Sequence, residues 1–154
     1  ETAWVPEYGR EYTHLKLAGR ESMDDIEWTS DDFVAIAKEQ RRQEDEAANN
    51  ANRVLFCDTD AFATAIWHER YMGFPHAETD VNTPFEQDGI RDGEAIREWM
   101  DQRFEEAMRA EGRRFVRLAG SVEQRITIVS EYVDVLLTQP FDYARANAGA
   151  VRFK

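Results

Sequence analysis

The sequence predicts an α/β fold in three layers, a parallel sheet with helices on both faces. Three observations carry this expectation. Strand-like runs around residues 2–5, 53–58 and 113–118 alternate with long stretches of helical period, the order that builds parallel sheets. Val54, Leu55, Phe56 and Cys57 are continuously apolar, as a strand covered on both faces has to be. Two carboxylates, Asp58 and Asp60, follow that strand at once, and in open α/β sheets ligands bind beyond the carboxyl ends of the strands. Three strands are few for four helices, so residues 1–154 are expected to form part of one domain rather than all of it.

The totals bound the function. A chain of 154 residues that is 42% hydrophobic and 12% aromatic can bury a real core in a single domain. Nineteen basic against thirty-one acidic residues give a formal net charge of -12. With no gathering of the basic residues, that charge repels a phosphate backbone, and no nucleic-acid partner is expected. The lone Cys57 lies inside the apolar run, so a disulfide framework is absent and a reducing compartment is expected. No apolar run approaches the ~20 residues that span a bilayer. The expected location is the cytoplasm, without a membrane partner.

Taken in order, the strand at 2–5 is stopped by Pro6 and followed by the charged group Glu7, Tyr8, Gly9, Arg10, Glu11. This group is either a site at a strand's carboxyl end or a solvated helix start, where Glu7 and Glu11 suit the positive end of the dipole. Residues 19–29 read as loop. Thr29 with Asp32 makes a capping box that opens a helix to about Asn50, with Phe33, Ile36, Ala37, Gln40, Ala47, Ala48 and Ala51 on its inner stripe. Gln40 is the polar member of that stripe, and a buried amide needs partners, whether backbone, water or ligand. Glu39 to Glu46 otherwise reads as a solvated face. A helix starting near Asp60 and stopped at Gly73 puts Asp60, Thr64, Trp67, His68 and Tyr71 on one face. That face is either a pocket wall, or a cap at Asp60 with Trp67 and Tyr71 in the core. Pro84 and the Asp-Gly pairs at Asp88 and Asp92 enclose Arg91 in a mobile-loop composition. A helix at about 94–111 carries Ile96, Trp99, Met100, Phe104, Ala107 and Met108 on one side and ends at Gly112. Ser121 with Gln124 makes a second capping box, opening a helix with the stripe Val122, Ile126, Val129, Val133, Leu136 and Leu137. Pro140 closes it, and the tail to Lys154 carries little information.

Several motifs fail. His68-Glu69 would begin a zinc-protease helix, but position 72 is Met72 rather than histidine, and His14, His68 and His76 have no other ligand spacing. Asp58-Thr59-Asp60 after an apolar strand partly matches haloacid-dehalogenase-like phosphatases, whose fourth residue after the first Asp is Thr or Val. Here it is Phe62. A glycosyltransferase Asp-x-Asp metal motif is a shorter and weaker match.

The blocks EYGRE at 7–11, DFVAIAKEQ at 32–40, FCDTD at 56–60 with Thr64 and the YMG at 71–73, and PFEQDGIRDG at 84–93 together resemble the nicotinamide riboside kinase domain of NadR-type proteins. These are P-loop kinases with AAA-type ATPase relatives, and the resemblance covers residues 1 to about 138. It implies a three-layer P-loop NTPase-like parallel sheet. It also implies ATP-dependent phosphorylation of nicotinamide riboside to nicotinamide mononucleotide for NAD salvage, with ATP and Mg²⁺ as cofactors and a small-molecule nucleoside as partner. Oligomeric state stays open.

Phosphoryl transfer needs positioning and charge compensation. Asp58 at the central strand's end suits the metal. Glu7 and Asp60 compete for the acceptor hydroxyl, Arg91 suits a lid arginine, and Arg10 a second phosphate or substrate contact. Gln40, Thr64 and Tyr71 are the remaining candidates for substrate binding. In the resemblance an aromatic residue before the EYGRE block stacks on the nicotinamide ring, which is Trp4 here. An indole attracts a flat cationic ring by roughly 0.5–2 kcal/mol. Two departures stand beside this: no G-x-x-x-x-G-K-[ST] occurs in residues 1–154, and nothing apolar lies between Glu78 and Asp80. A first strand with its P-loop, and a segment near 78–80, are therefore expected outside the sequence. A related kinase or ATPase with another acceptor, or a non-catalytic nucleotide-sensing module, are the alternatives.

Overall fold

A computed structural model of the chain describes residues 2–73 and 96–138. The chain divides into two compact units, residues 1–115 and 116–154.

In the first unit, β1 (Trp4–Val5) and β2 (Phe56–Cys57) pair in parallel, Trp4 opposite Phe56 and Val5 opposite Cys57. The Phe56 N–H donates to the Ala3 carbonyl at 3.2 Å and the Asp58 N–H to the Val5 carbonyl at 2.9 Å. Side chains alternate across a strand, so Val5 is buried while Trp4 and Phe56 stand exposed on the other face. The expected cover on both faces is thus present on one: α2 packs against β1, and the Trp4–Phe56 face is open among the described residues.

Between the strands run α1 (Tyr8–Leu17), a short 3₁₀ turn at Met23–Asp25 and α2 (Ser30–Asn50). The capping box read from sequence is present: Thr29 and Asp32 satisfy each other's backbone N–H groups. Phe33 and Ile36 on the inner stripe are buried, and so is Gln40, whereas Ala48 is exposed. After β2 come α3 (Ala61–Gly73) and α4 (Arg97–Ala110). Ile66, Ile96 and Met100 form an apolar cluster between them, with Phe62, Trp67, Trp99 and Phe104 around it. The Arg103 Nε–H also reaches both carboxylate oxygens of Glu69, at 2.9 and 2.8 Å. Past α4, Gly112 takes φ +66, the left-handed conformation that ends helices and that glycine adopts without strain.

The strand expected at 113–118 does not form; residues 113–119 have no regular structure. The division between the two units falls inside this segment, between Phe115 and Val116. Arg113, Arg114 and Arg117 interrupt its apolar residues, and no strand pairs with it among the described residues.

Aromatic rings tie α1, α2 and α3 together. Trp28 lies 5.4 Å from Phe33 and 5.1 Å from Tyr71 between ring centroids, and Phe33 lies 5.8 Å from Tyr71. At the edge of this cluster Asp32 joins the start of α2 to α1. It accepts from Tyr12 Oη and Lys16 Nζ, each at 2.7 Å, and from the Thr29 backbone at 2.8 Å. Burial opposes its charge, but the hydrogen bonds from Lys16, Tyr12 and Thr29 outweigh burial and hold the carboxyl well below the usual range. The Tyr12 hydroxyl is pushed up by that same bond and by burial.

The second unit contains α5 (Val122–Thr138). Its capping box forms as read from sequence, with the Ser121 N–H donating to Gln124 Oε1 at 2.8 Å and the Gln124 N–H to Ser121 Oγ at 3.3 Å. Gly120, at φ +93, precedes it, and a Cβ there would collide with the Gln124 amide. The stripe expected to be core is largely exposed: Val122, Ile126, Leu136 and Leu137 all face outward among the described residues.

Because the Asp32 carboxyl titrates lower in the folded chain than its unfolded value near 3.9, its contribution is complete above about pH 5 and is lost as pH falls. Asp32→Asn is expected to reduce unfolding free energy by roughly 1–3 kcal/mol at pH 7. In urea titrations the gap from the wild type should narrow below about pH 4. A gap that is constant with pH would remove the carboxylate from this role.

Candidate functional site

Parallel pairing sets the carboxyl ends of β1 and β2 side by side, so Pro6–Glu7 and Asp58–Asp60 leave the sheet at the same edge. The bond from Asp58 N–H to Val5 O makes this contact direct.

Glu7 is the N-cap residue of α1, but its side chain does not cap the helix. The carboxylate lies instead over the first turn, 4.0 Å from Arg10 Nε and close above Gly9. Asp58 follows β2 directly, and its carboxylate enters no hydrogen bond or ion pair among the described residues. Asp60 differs on both counts. Its Oδ1 accepts from the Ala63 N–H at 3.1 Å, capping α3, and its Oδ2 accepts from Arg113 Nη1 at 3.1 Å. The same guanidinium lies 4.2 Å over the Phe62 ring and reaches Glu111 at 3.0 Å. The cap reading of Asp60 thus matches its geometry, and Arg113 is a cation at this edge that sequence reasoning missed, having assigned it to a strand.

Gln40 is 1% exposed and both ends of its amide meet backbone. The Tyr8 N–H donates to Oε1 at 2.8 Å, and Nε2 donates to the Thr59 carbonyl at 3.1 Å. One turn further along α2, Glu44 Oε1 accepts from the Ala61 N–H at 3.0 Å. Burial pushes the Glu44 carboxyl up, as does the charge of Asp60, against the hydrogen bonds from Ala61 and the Gln40 amide. Burial also raises the Cys57 thiol, with Glu44 and Asp60 adding to the effect. Glu44 was hidden in the charged run 39–46; its place four residues after Gln40 was the available signal.

The face Asp60, Thr64, Trp67, His68, Tyr71 is not one pocket wall. Thr64 is buried, His68 Nε2 bonds Ser30 Oγ at 2.9 Å, and Tyr71 stacks in the aromatic cluster, with Trp67 at 6.2 Å. Trp4 is 63% exposed on the open sheet face, and Arg10 sits beside Glu7. Arg91 lies outside the described residues. No group of three His, Cys, Asp or Glu suited to a metal occurs among the described residues, so a metal here would take few protein ligands, as hydrated Mg²⁺ does.

Residues 1–83, more than half of the chain and every element from β1 to α3, match the AAA domain family. The chain belongs to the AAA domain family. The trifunctional NAD biosynthesis/regulator protein NadR of Escherichia coli (strain K12) is 31% identical over 105 residues, which cover 58% of this chain and 24% of that protein. The chain therefore spans about a quarter of the length of this curated relative. Family and relative together support a NadR-type P-loop kinase-like domain. The AAA match also fits the α/β class and the parallel pairing of β1 with β2.

The two aspartates are expected to separate in stability measurements. Asp60→Ala removes a cap and should lower unfolding free energy by ~1 kcal/mol. Asp58→Asn removes no side-chain contact and should stay within about 0.5 kcal/mol of the wild type. Equal urea midpoints for the two variants would contradict this division of labour.

Proposed function

We propose that this domain transfers the γ-phosphoryl group of ATP to the ribose hydroxyl of nicotinamide riboside, forming nicotinamide mononucleotide. The carrying observation is the meeting of the Glu7 and Asp58 turns at one sheet edge, and the similarity to a protein named for NAD biosynthesis supports it.

Asp58 fits Mg²⁺ as a hard oxygen donor with no other partner among the described residues. With Mg²⁺ bound, the metal would neutralise charge on the nucleotide phosphates. Glu7 then accepts the proton of the acceptor hydroxyl, and Arg10 beside it contacts substrate. Asp60, capping α3, keeps the Asp58 turn in place. Trp4 offers an open indole face to the cationic nicotinamide ring. Arg91, outside the described residues, is the arginine assigned to the transferring group. Thr64 and Tyr71 support the site from α3. The phosphate cradle belongs in this proposal to a segment outside residues 1–154, since these contain no G-x-x-x-x-G-K-[ST]. None of the described helices is long and apolar enough to cross a membrane.

Two variants test the assignment in the full-length protein. Asp58→Asn should lower kcat by ~100-fold or more at saturating Mg²⁺. Trp4→Ala should raise KM for nicotinamide riboside by roughly 2–30-fold and leave KM for ATP unchanged. An unchanged rate in the first removes Asp58 from the metal. An unchanged KM in the second removes Trp4 from the ring.

A further inference from the structure

We infer that Gln40 is a positioning residue: its buried amide fixes the spacing between the turn that carries Glu7 and the turn that carries Asp58 and Asp60. It touches no reacting atom, and its role in catalysis rests on the kinase reading above.

The two turns belong to segments about fifty residues apart in sequence. β1 and β2 are only two residues long each, so the ladder alone constrains the turns weakly beyond the Asp58 to Val5 bond. Gln40 supplies the next tie outward. Its carbonyl takes the N–H of Tyr8, the first residue of α1, one of the donors a helix start leaves without a partner. Its amino group gives a hydrogen to the carbonyl of Thr59, between Asp58 and Asp60. One side chain thus spans both turns, and at 1% exposure no water competes for it. An unmet backbone group here would be costly, so each turn has one low-energy position relative to the other. Glu44, one helical turn away, extends the tie by accepting from the Ala61 N–H at the start of α3. The stripe of α2 thereby uses a polar pair where an apolar pair would fill space without specifying register.

A space-filling role and a positioning role predict different results for isosteric replacements. Gln40→Met keeps the volume and removes the hydrogen bonds to Tyr8 and Thr59 together with the amide's bond to Glu44. Gln40→Glu keeps the acceptor for Tyr8 and removes the donor to Thr59. Hydrogen–deuterium exchange on the full-length protein is expected to show ~10-fold faster exchange in Gln40→Met at both the 6–10 and 57–62 segments. Gln40→Glu should show it at 57–62 alone, and exchange in α4 should match the wild type in both variants. In nicotinamide riboside kinase assays both variants should lose kcat by ~10-fold or more with KM for ATP within twofold. Wild-type exchange at both segments in Gln40→Met, or equal loosening throughout the chain, overturns the inference. If the wild-type protein phosphorylates no nicotinamide riboside, the kinase reading fails while the exchange pattern still decides whether Gln40 holds the turns.

Discussion

A parallel strand pair cannot be closed by a tight turn; the chain has to leave one strand and return to start the next from the same end. Here the return is made by α2, whose 21 residues extend about 31 Å. Its docking on the Val5 face of β1 decides everything that follows. Phe33 packs on His68 and Tyr71 of α3 and Ile36 is buried beside Gly9 of α1, Asp32 fastens its first turn to α1, and Gln40 fastens its middle to both exits from the sheet. A helix that only filled space could slide along its axis. One that ends backbone hydrogen bonds at three places cannot slide without orphaning them.

An acidic chain makes the fate of individual carboxylates informative. Four acids of the first unit are committed to structure: Asp32 to α1, Asp60 to the start of α3, Glu44 to Ala61, Glu69 to Arg103. The exposed Glu39–Arg42–Glu46 group on α2 is a surface network of small energetic weight. Asp58, by contrast, is placed at the sheet edge by a two-residue strand and is engaged by no side chain among the described residues. In the proposed kinase reading such a carboxylate is the one to meet a hydrated cation, while Asp60 is paired with Arg113.

What the sequence disclosed was what local chemistry determines. The capping boxes at Thr29–Asp32 and Ser121–Gln124, the stop at Gly112 and the helix after Asp60 all depend on neighbours within four residues, and all are present. Gln40 was recognised as a polar residue in need of partners, although which partners depends on segments far away in the chain, and backbone groups proved to be the ones. The strand at 113–118 was misread because β pairing is a long-range property. An apolar run becomes a strand only where another edge meets it, and this one joins two units instead. Arg113 and Glu44 were missed for related reasons, one assigned to a strand that does not form and the other absorbed in a run of surface charge. The exposed stripe of α5 shows that an amphipathic pattern records a face to be covered without saying by what.

The most direct test of the assignment is product analysis by mass spectrometry after incubating the full-length protein with ATP, Mg²⁺ and nicotinamide riboside. Nicotinamide mononucleotide appearing in equal amount with ADP is the predicted result. ADP formed at the same rate with or without the riboside, and no mononucleotide, would contradict it and make the domain an ATPase or a kinase for another acceptor.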